Sequence, residues 1–124
     1  MRKILIAEDE KAIGSALSNK LSAEGYEVTL VEDGAAALEQ LKTNHYDLAF
    51  VDLIMTNVDG FKVLEEMKDS DNNTPLVVFS NLAQDTDKER ALELGAAGFY
   101  IKADISLSEI SDIVKKYIRY DCHG

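Results

Sequence analysis

Five polar residues of this chain each follow directly on a short apolar run. Glu8 and Asp9 follow Ile4 to Ala7, Asp52 follows Leu48 to Val51, Ser80 follows Leu76 to Phe79, and Lys102 follows Phe99 to Ile101. If the runs lie side by side, three carboxylates, a hydroxyl and an ammonium converge on one rim. Carboxylates held close together repel, and hard oxygen donors suit a divalent cation such as Mg2+, or Mn2+. Glu8, Asp9 and Asp52 carry −3 and Lys102 carries +1, so one divalent cation brings the remaining −2 to zero. Beside a metal, a neutralised Asp52 carboxylate can act as a nucleophile toward phosphorus. The metal and Lys102 would stabilise the equatorial oxygens of a phosphoryl group, and Ser80 would hydrogen-bond one of them. The product would be an acyl phosphate.

The elements that must position these residues are legible as β-α alternation. Apolar runs at Ile4 to Ala7, Val28 to Val31, Leu48 to Val51, Leu76 to Phe79 and Phe99 to Ile101 are each followed by a helical stretch. Ile110, Ile113, Val114, Tyr117 and Ile118 form one stripe of the last helix, and Ser106 with Glu109 has capping-box spacing. Ile13, Ala16, Leu17 and Leu21 mark the first helix, closed by Gly25. Asp33 opens the second and Asp59 the third, while a fourth runs from about Gln84 to a terminator at Gly95. Asp9 or Glu10 is expected to cap the first helix.

The runs at 4 to 7, 48 to 51 and 76 to 79 are continuously apolar, as central parallel strands covered on both faces must be. The mixed run after Glu27 reads as an edge. The expected architecture is a doubly wound (βα)5 α/β sandwich, flavodoxin-like, with a five-stranded parallel sheet in the order 2-1-3-4-5. Ligands of such sheets bind beyond the carboxyl ends of the strands, where all five polar residues stand.

The 124 residues match one domain, 46% hydrophobic and 29% charged, which excludes a mainly disordered chain and argues against a two-domain enzyme. The expected domain spans residues 1–120, with 121–124 a frayed tail and little length left for an effector. The net charge of −10 disfavours direct contact with nucleic acid or an anionic membrane. The lone Cys122 offers no internal disulfide, the Met1-Arg2-Lys3 start leads into no signal peptide, and no run is long enough to span a membrane. A cytoplasmic protein is expected.

The chain resembles the receiver, or phosphoacceptor, domains of two-component response regulators. The resemblance runs over essentially its whole length through Glu8-Asp9, Asp52-Leu53-Ile54-Met55 ending in Asp59-Gly60, Ser80, and Gly98-Phe99-Tyr100-Ile101-Lys102. It implies that Asp52 accepts a phosphoryl group from a histidine kinase or phosphotransfer protein. Asp9 would then be the main side-chain metal ligand beside Asp52, Glu8 a mostly water-mediated one, and the Ile54 carbonyl a backbone ligand. Ser80 and Lys102 would sense the phosphoryl group, with Ser80 and Phe99 as the switch pair. Such a domain catalyses its own phosphorylation and slow dephosphorylation, without being a conventional turnover enzyme. It would present helix 4, strand 5 and helix 5 to a downstream protein target, or to a second copy in a phosphorylation-dependent dimer.

Three positions depart from the family pattern. Ala103 follows Lys102 where proline is usual after an often cis bond, so this bond is either trans or held cis under strain. Thr56 replaces a common proline and should loosen the loop after Asp52, and Asn81 follows Ser80 where a small residue is common. With the apolar Ile54, Thr56 and Asn81 are expected to slow hydrolysis of the acyl phosphate. A flavodoxin-like ligand-binding module would want a Gly- or Ser-rich first loop in place of Glu8-Asp9-Glu10. An aspartyl-nucleophile phosphatase would want an Asp-x-Asp arrangement there. His45 and His123 read as surface residues, Met55 and Met67 as core, and Cys122-His123 lacks the further ligands of a zinc site.

Overall fold

The computed structural model describes residues 2–55, 57–70, 72–81 and 84–118; Thr56, Cys122, His123 and the tail 121–124 lie outside them. Five strands alternate with five α-helices: β1 Lys3–Ala7, α1 Lys11–Ala23, β2 Glu27–Val31, α2 Gly34–Thr43, β3 Leu48–Val51, α3 Gly60–Lys68, β4 Leu76–Ser80, α4 Asp85–Glu93, β5 Gly98–Ile101 and α5 Leu107–Ile118. A single 3-10 turn, Lys102–Asp104, joins β5 to α5. All pairings are parallel, and the order is β2-β1-β3-β4-β5. This is the doubly wound sandwich that the apolar runs call for.

Both parities of the central strands are apolar because both faces of the sheet are covered. Leu5, Ala7, Ala49, Val51 and Val78 point to one side, where they meet Ala37, Leu38 and Leu41 of α2, Leu64 and Met67 of α3 and Ala91 of α4. Ile4, Ile6, Leu48, Phe50, Val77 and Phe79 point to the other, against Leu17 and Leu21 of α1 and Ile110, Ile113, Val114 and Ile118 of α5. The β2 side chains are only half-buried, consistent with an edge. Met55 and Met67 belong to the first cluster, and the His45 side chain is exposed.

The helix ends follow local chemistry. Asp33 caps α2 by accepting from the Ala36 N–H, and Asp59 caps α3 by accepting from the Lys62 N–H. Ser106 and Glu109 bond reciprocally at the start of α5. Gly25 and Gly95 take positive φ after α1 and α4. The first helix differs from expectation: Glu10 occupies its N-cap position but makes no side-chain cap bond. The Glu8 carboxylate has instead folded back to accept the Glu10 N–H at 3.1 Å.

Behind Asp52, the start of α3 presses on the β3 backbone. The Gly60 N–H donates to the Leu53 carbonyl, and a Cβ at Gly60 would sit 2.3 Å from the Asp52 carbonyl oxygen. Asn57, with φ 66°, ties the same loop to α2 by donating to Asp33 Oδ2 at 2.9 Å. Only glycine lets α3 approach so closely. Gly60→Ala is therefore expected to destabilise the fold by roughly 2 kcal/mol or more, since backbone and not a flexible side chain must yield. Equilibrium urea unfolding measures this directly.

Candidate functional site

The four loops at the carboxyl end of the sheet enclose a cavity of about 230 Å3 lined by Asp9, Glu10, Asp52, Ile54, Ser80, Asn81 and Lys102. Each arrives there because it follows a strand or ends one. Asp52 stands just past β3, with its N–H on the Ala7 carbonyl, which locks it beside the end of β1. Ser80 is the last residue of β4 and fully buried, one residue more of strand than its apolar run suggested. Lys102 opens the 3-10 turn after β5.

The Lys102 ammonium organises the rim. Its Nζ donates to Asp52 Oδ2 at 2.7 Å, lies 2.5 Å from Glu8 Oε1 and reaches Glu10 Oε1 at 3.5 Å. Lys102 is 8% exposed, Asp52 4% and Glu8 2%. Burying charges this deeply costs free energy unless they are paired, and here each has a partner of opposite sign. Asp52 Oδ1 accepts from the Ile54 N–H at 3.2 Å, so both carboxylate oxygens are held.

Burial pushes the Glu8 carboxyl up to about 7, and the Asp52 charge adds to the shift, while Lys102 and the Glu10 N–H pull the other way. For Lys102, burial works to lower the value, but its bonds to Asp52 and Glu8 outweigh that and raise it. The ammonium therefore stays charged throughout the neutral range.

The donors suit a hard divalent cation. Carboxylate oxygens of Glu8, Asp9 and Glu10 lie within 4.8 Å of one another. Glu8 Oε1 is buried and, its ion pair with Lys102 apart, has no aligned hydrogen bond. Oxygen-only ligands with room for water are what Mg2+ requires.

The structure thus brings Asp9, Asp52, Ile54, Ser80 and Lys102 around one cavity, with Glu8 reaching the same ammonium from a buried position. The Ile54 side chain is 58% exposed at the rim. Phe99 stands apart: it is half-buried and packs against the cluster shared by α2, α3 and α4. Tyr100 faces the opposite side, its hydroxyl 3.3 Å from that of Tyr117.

One participant is additional to those expected from sequence: Glu10, expected at most as a cap, turns toward Lys102, and the run of three acids was its signal. Asn81, expected from sequence only to slow hydrolysis, accepts the Ala103 N–H at 3.0 Å through Oδ1, a bond across 22 residues with no local signature. The Lys102 to Ala103 peptide is trans.

Residues 4–115 match the model of the response regulator receiver domain. A probable transcriptional regulator, ycf27 of Galdieria sulphuraria, is 37% identical over 100 residues, covering 81% of this chain and 39% of that protein. The chain spans half or less of the length of the curated relatives it matches. Among solved structures, the Francisella response regulator 1452 receiver domain superposes with a TM-score of 0.89 at 28% identity, over 98% of this chain and 99% of that one. The receiver domain of the sensor histidine kinase PA1611 of Pseudomonas aeruginosa PAO1, with a magnesium ion coordinated in its active site cleft, gives 0.85 at 26% identity, over 94% and 97%. Among the described residues no helix is long and apolar enough to cross a membrane.

The Glu8 environment has a signed consequence for stability. Its folded value of about 7 exceeds the ordinary 4.5, so its contribution is fully present below about pH 4.5 and is lost as pH rises through 7. A shift of this size corresponds to something on the order of 3 kcal/mol. In buffer without divalent cations, unfolding free energy should fall more steeply between pH 5 and pH 8 in the wild-type chain than in Glu8→Gln. Urea titrations at the two pH values test this, and parallel pH dependences would contradict it.

Proposed function

The chain belongs to the response regulator receiver domain family, and from that premise we propose that it is a Mg2+-dependent phosphoacceptor modified on Asp52. The carrying observation is the buried contact of 2.7 Å between Lys102 Nζ and Asp52 Oδ2, in a cavity that Asp9 and Ser80 also line. Residues 1–120 form one receiver domain in this reading, and the protein acts in the cytoplasm.

An Asp52 oxygen attacks the phosphorus of a phosphohistidine on a kinase or phosphotransfer protein. The O–P bond forms as the P–N bond breaks, and the imidazole leaves with the electron pair and takes up a proton. With acetyl phosphate as donor, a P–O bond breaks and acetate leaves. Asp9 and Asp52 would hold the cation, with Glu8 mostly through water and Ile54 through its backbone carbonyl. A bound Mg2+, or Mn2+, offsets carboxylate repulsion and stabilises charge on the equatorial oxygens. Lys102 shares that charge, and the Ser80 hydroxyl hydrogen-bonds the phosphoryl group. The PA1611 receiver, with magnesium in its cleft, supports the same cation here.

Phosphorylation then draws Ser80 toward Asp52 and biases Phe99 inward, shifting the population of the surface formed by α4, β5 and α5. The target is a protein, or a second copy of the chain; the net charge of −10 argues against nucleic acid. No observation favours the flavodoxin-like module or the phosphatase, since acids fill the loop after β1 where either needs a different pattern.

Incubation with Mg2+ and acetyl phosphate, followed by intact mass, should show one phosphoryl adduct that is absent with excess EDTA and absent in Asp52→Ala. An unmodified wild-type chain, or an adduct that survives Asp52→Ala, would overturn the assignment. The exposed Ile54 side chain at the rim is also expected to hinder an incoming water. Ile54→Asn should shorten the phospho-Asp52 lifetime by about threefold or more, on the scale of one positioned contact, as followed by decay of the adduct after the donor is removed.

A further inference from the structure

Lys102 must hold a long, flexible side chain at a fixed point, and four-carbon stems of this kind lose considerable rotamer freedom when ordered. Its backbone is anchored on one side by the last rung of the β4–β5 ladder, which pairs Ser80 with Ile101. Beyond that rung the ladder ends, and Lys102–Asp104 turns away as a 3-10 helix closed by the Ile105 N–H on the Lys102 carbonyl. The next cross-link between the two segments is the Ala103 N–H donating to Asn81 Oδ1 at 3.0 Å. Ser80–Ile101 and Asn81–Ala103 therefore bracket Lys102 on both sides. The second link exists only because residue 103 is not proline, which has no N–H, and because residue 81 carries an acceptor.

From this bracket, and resting on the phosphoacceptor reading, we infer that Asn81 is a positioning residue for the reaction: its amide oxygen clips the 3-10 turn to the end of β4 and so aims Lys102 at Asp52. Its bond to Ala103 is exposed and contributes little to stability, so its effect is on geometry. Small displacements of a charge-stabilising group weigh heavily on phosphoryl transfer, because positioning and electrostatics supply nearly all of the catalysis. Asp9, Asp52 and Glu8, the groups that would hold the cation, take no part in the clip. Its loss should consequently slow the chemical step without weakening the metal.

Two replacements separate the acceptor from bulk. Asn81→Leu keeps the size and removes the acceptor, and Asn81→Asp keeps an acceptor oxygen. In Asn81→Leu the Ala103 amide should lose protection from hydrogen exchange. The rate of labelling at saturating acetyl phosphate and Mg2+ should fall about five- to tenfold, as expected for a misplaced charge-stabilising group. The half-saturating Mg2+ concentration should stay within about twofold and the thermal midpoint should barely move. Asn81→Asp should keep the protection and most of the saturating rate, and Asn81→Ala should behave as Asn81→Leu, which covers the case that leucine is not accommodated. Wild-type saturating rates in Asn81→Leu and Asn81→Ala, or an Asn81→Asp as slow as they are, would overturn the clip. If the wild-type chain takes no label, the phosphoacceptor reading itself fails, and the inference with it; labelling of the wild type with no response at position 81 removes the inference alone.

Discussion

One ammonium set between two buried carboxylates is the constraint on which the rest of this rim depends. Glu8 and Asp52 follow different strands, β1 and β3, and without Lys102 between them the doubly wound sheet would force two like charges into one low-dielectric pocket. The surrounding structure serves that arrangement. The Asp52 N–H is tied to β1, Gly60 brings α3 up against the Asp52 backbone, and the Ile54 N–H holds the second Asp52 oxygen. The same three charges that endanger the fold are the ones that the proposed cation and phosphoryl group would meet.

Most of the fold was legible because both-sided burial writes itself into composition. Leu48 to Val51 and Leu76 to Phe79 have no polar member, so they had to be interior strands, and parallel strands joined by helices leave few arrangements. The rim residues were legible for the same reason, since a polar side chain directly after a buried strand is delivered to one edge of the sheet. Caps at Asp33, Asp59 and Ser106 depend on partners three residues away and were readable locally.

What escaped the sequence depends on side chains choosing between partners. Glu10 stands where a helix cap belongs, yet the Glu8 carboxylate takes the Glu10 N–H and the Glu10 carboxylate turns to Lys102. Asn81 and Ala103 are two separate departures from a family pattern in the sequence, and in the folded chain they are acceptor and donor of one bond. That pairing required knowing how far β4 runs and where the turn after β5 begins. The unequal burial of Glu8 and Asp9, neighbours in sequence, is likewise visible only in the folded chain, and burial raises the proton affinity of Glu8.

The proposed chemistry of this rim requires a divalent cation beside Asp52. The most direct measurement is anomalous diffraction from crystals of the chain grown or soaked with Mn2+. A single strong peak within ligand distance of Asp9 and Asp52 carboxylate oxygens and the Ile54 carbonyl is the expected result. Absence of a peak in that cavity at saturating Mn2+, or a peak bound away from Asp52, would contradict it.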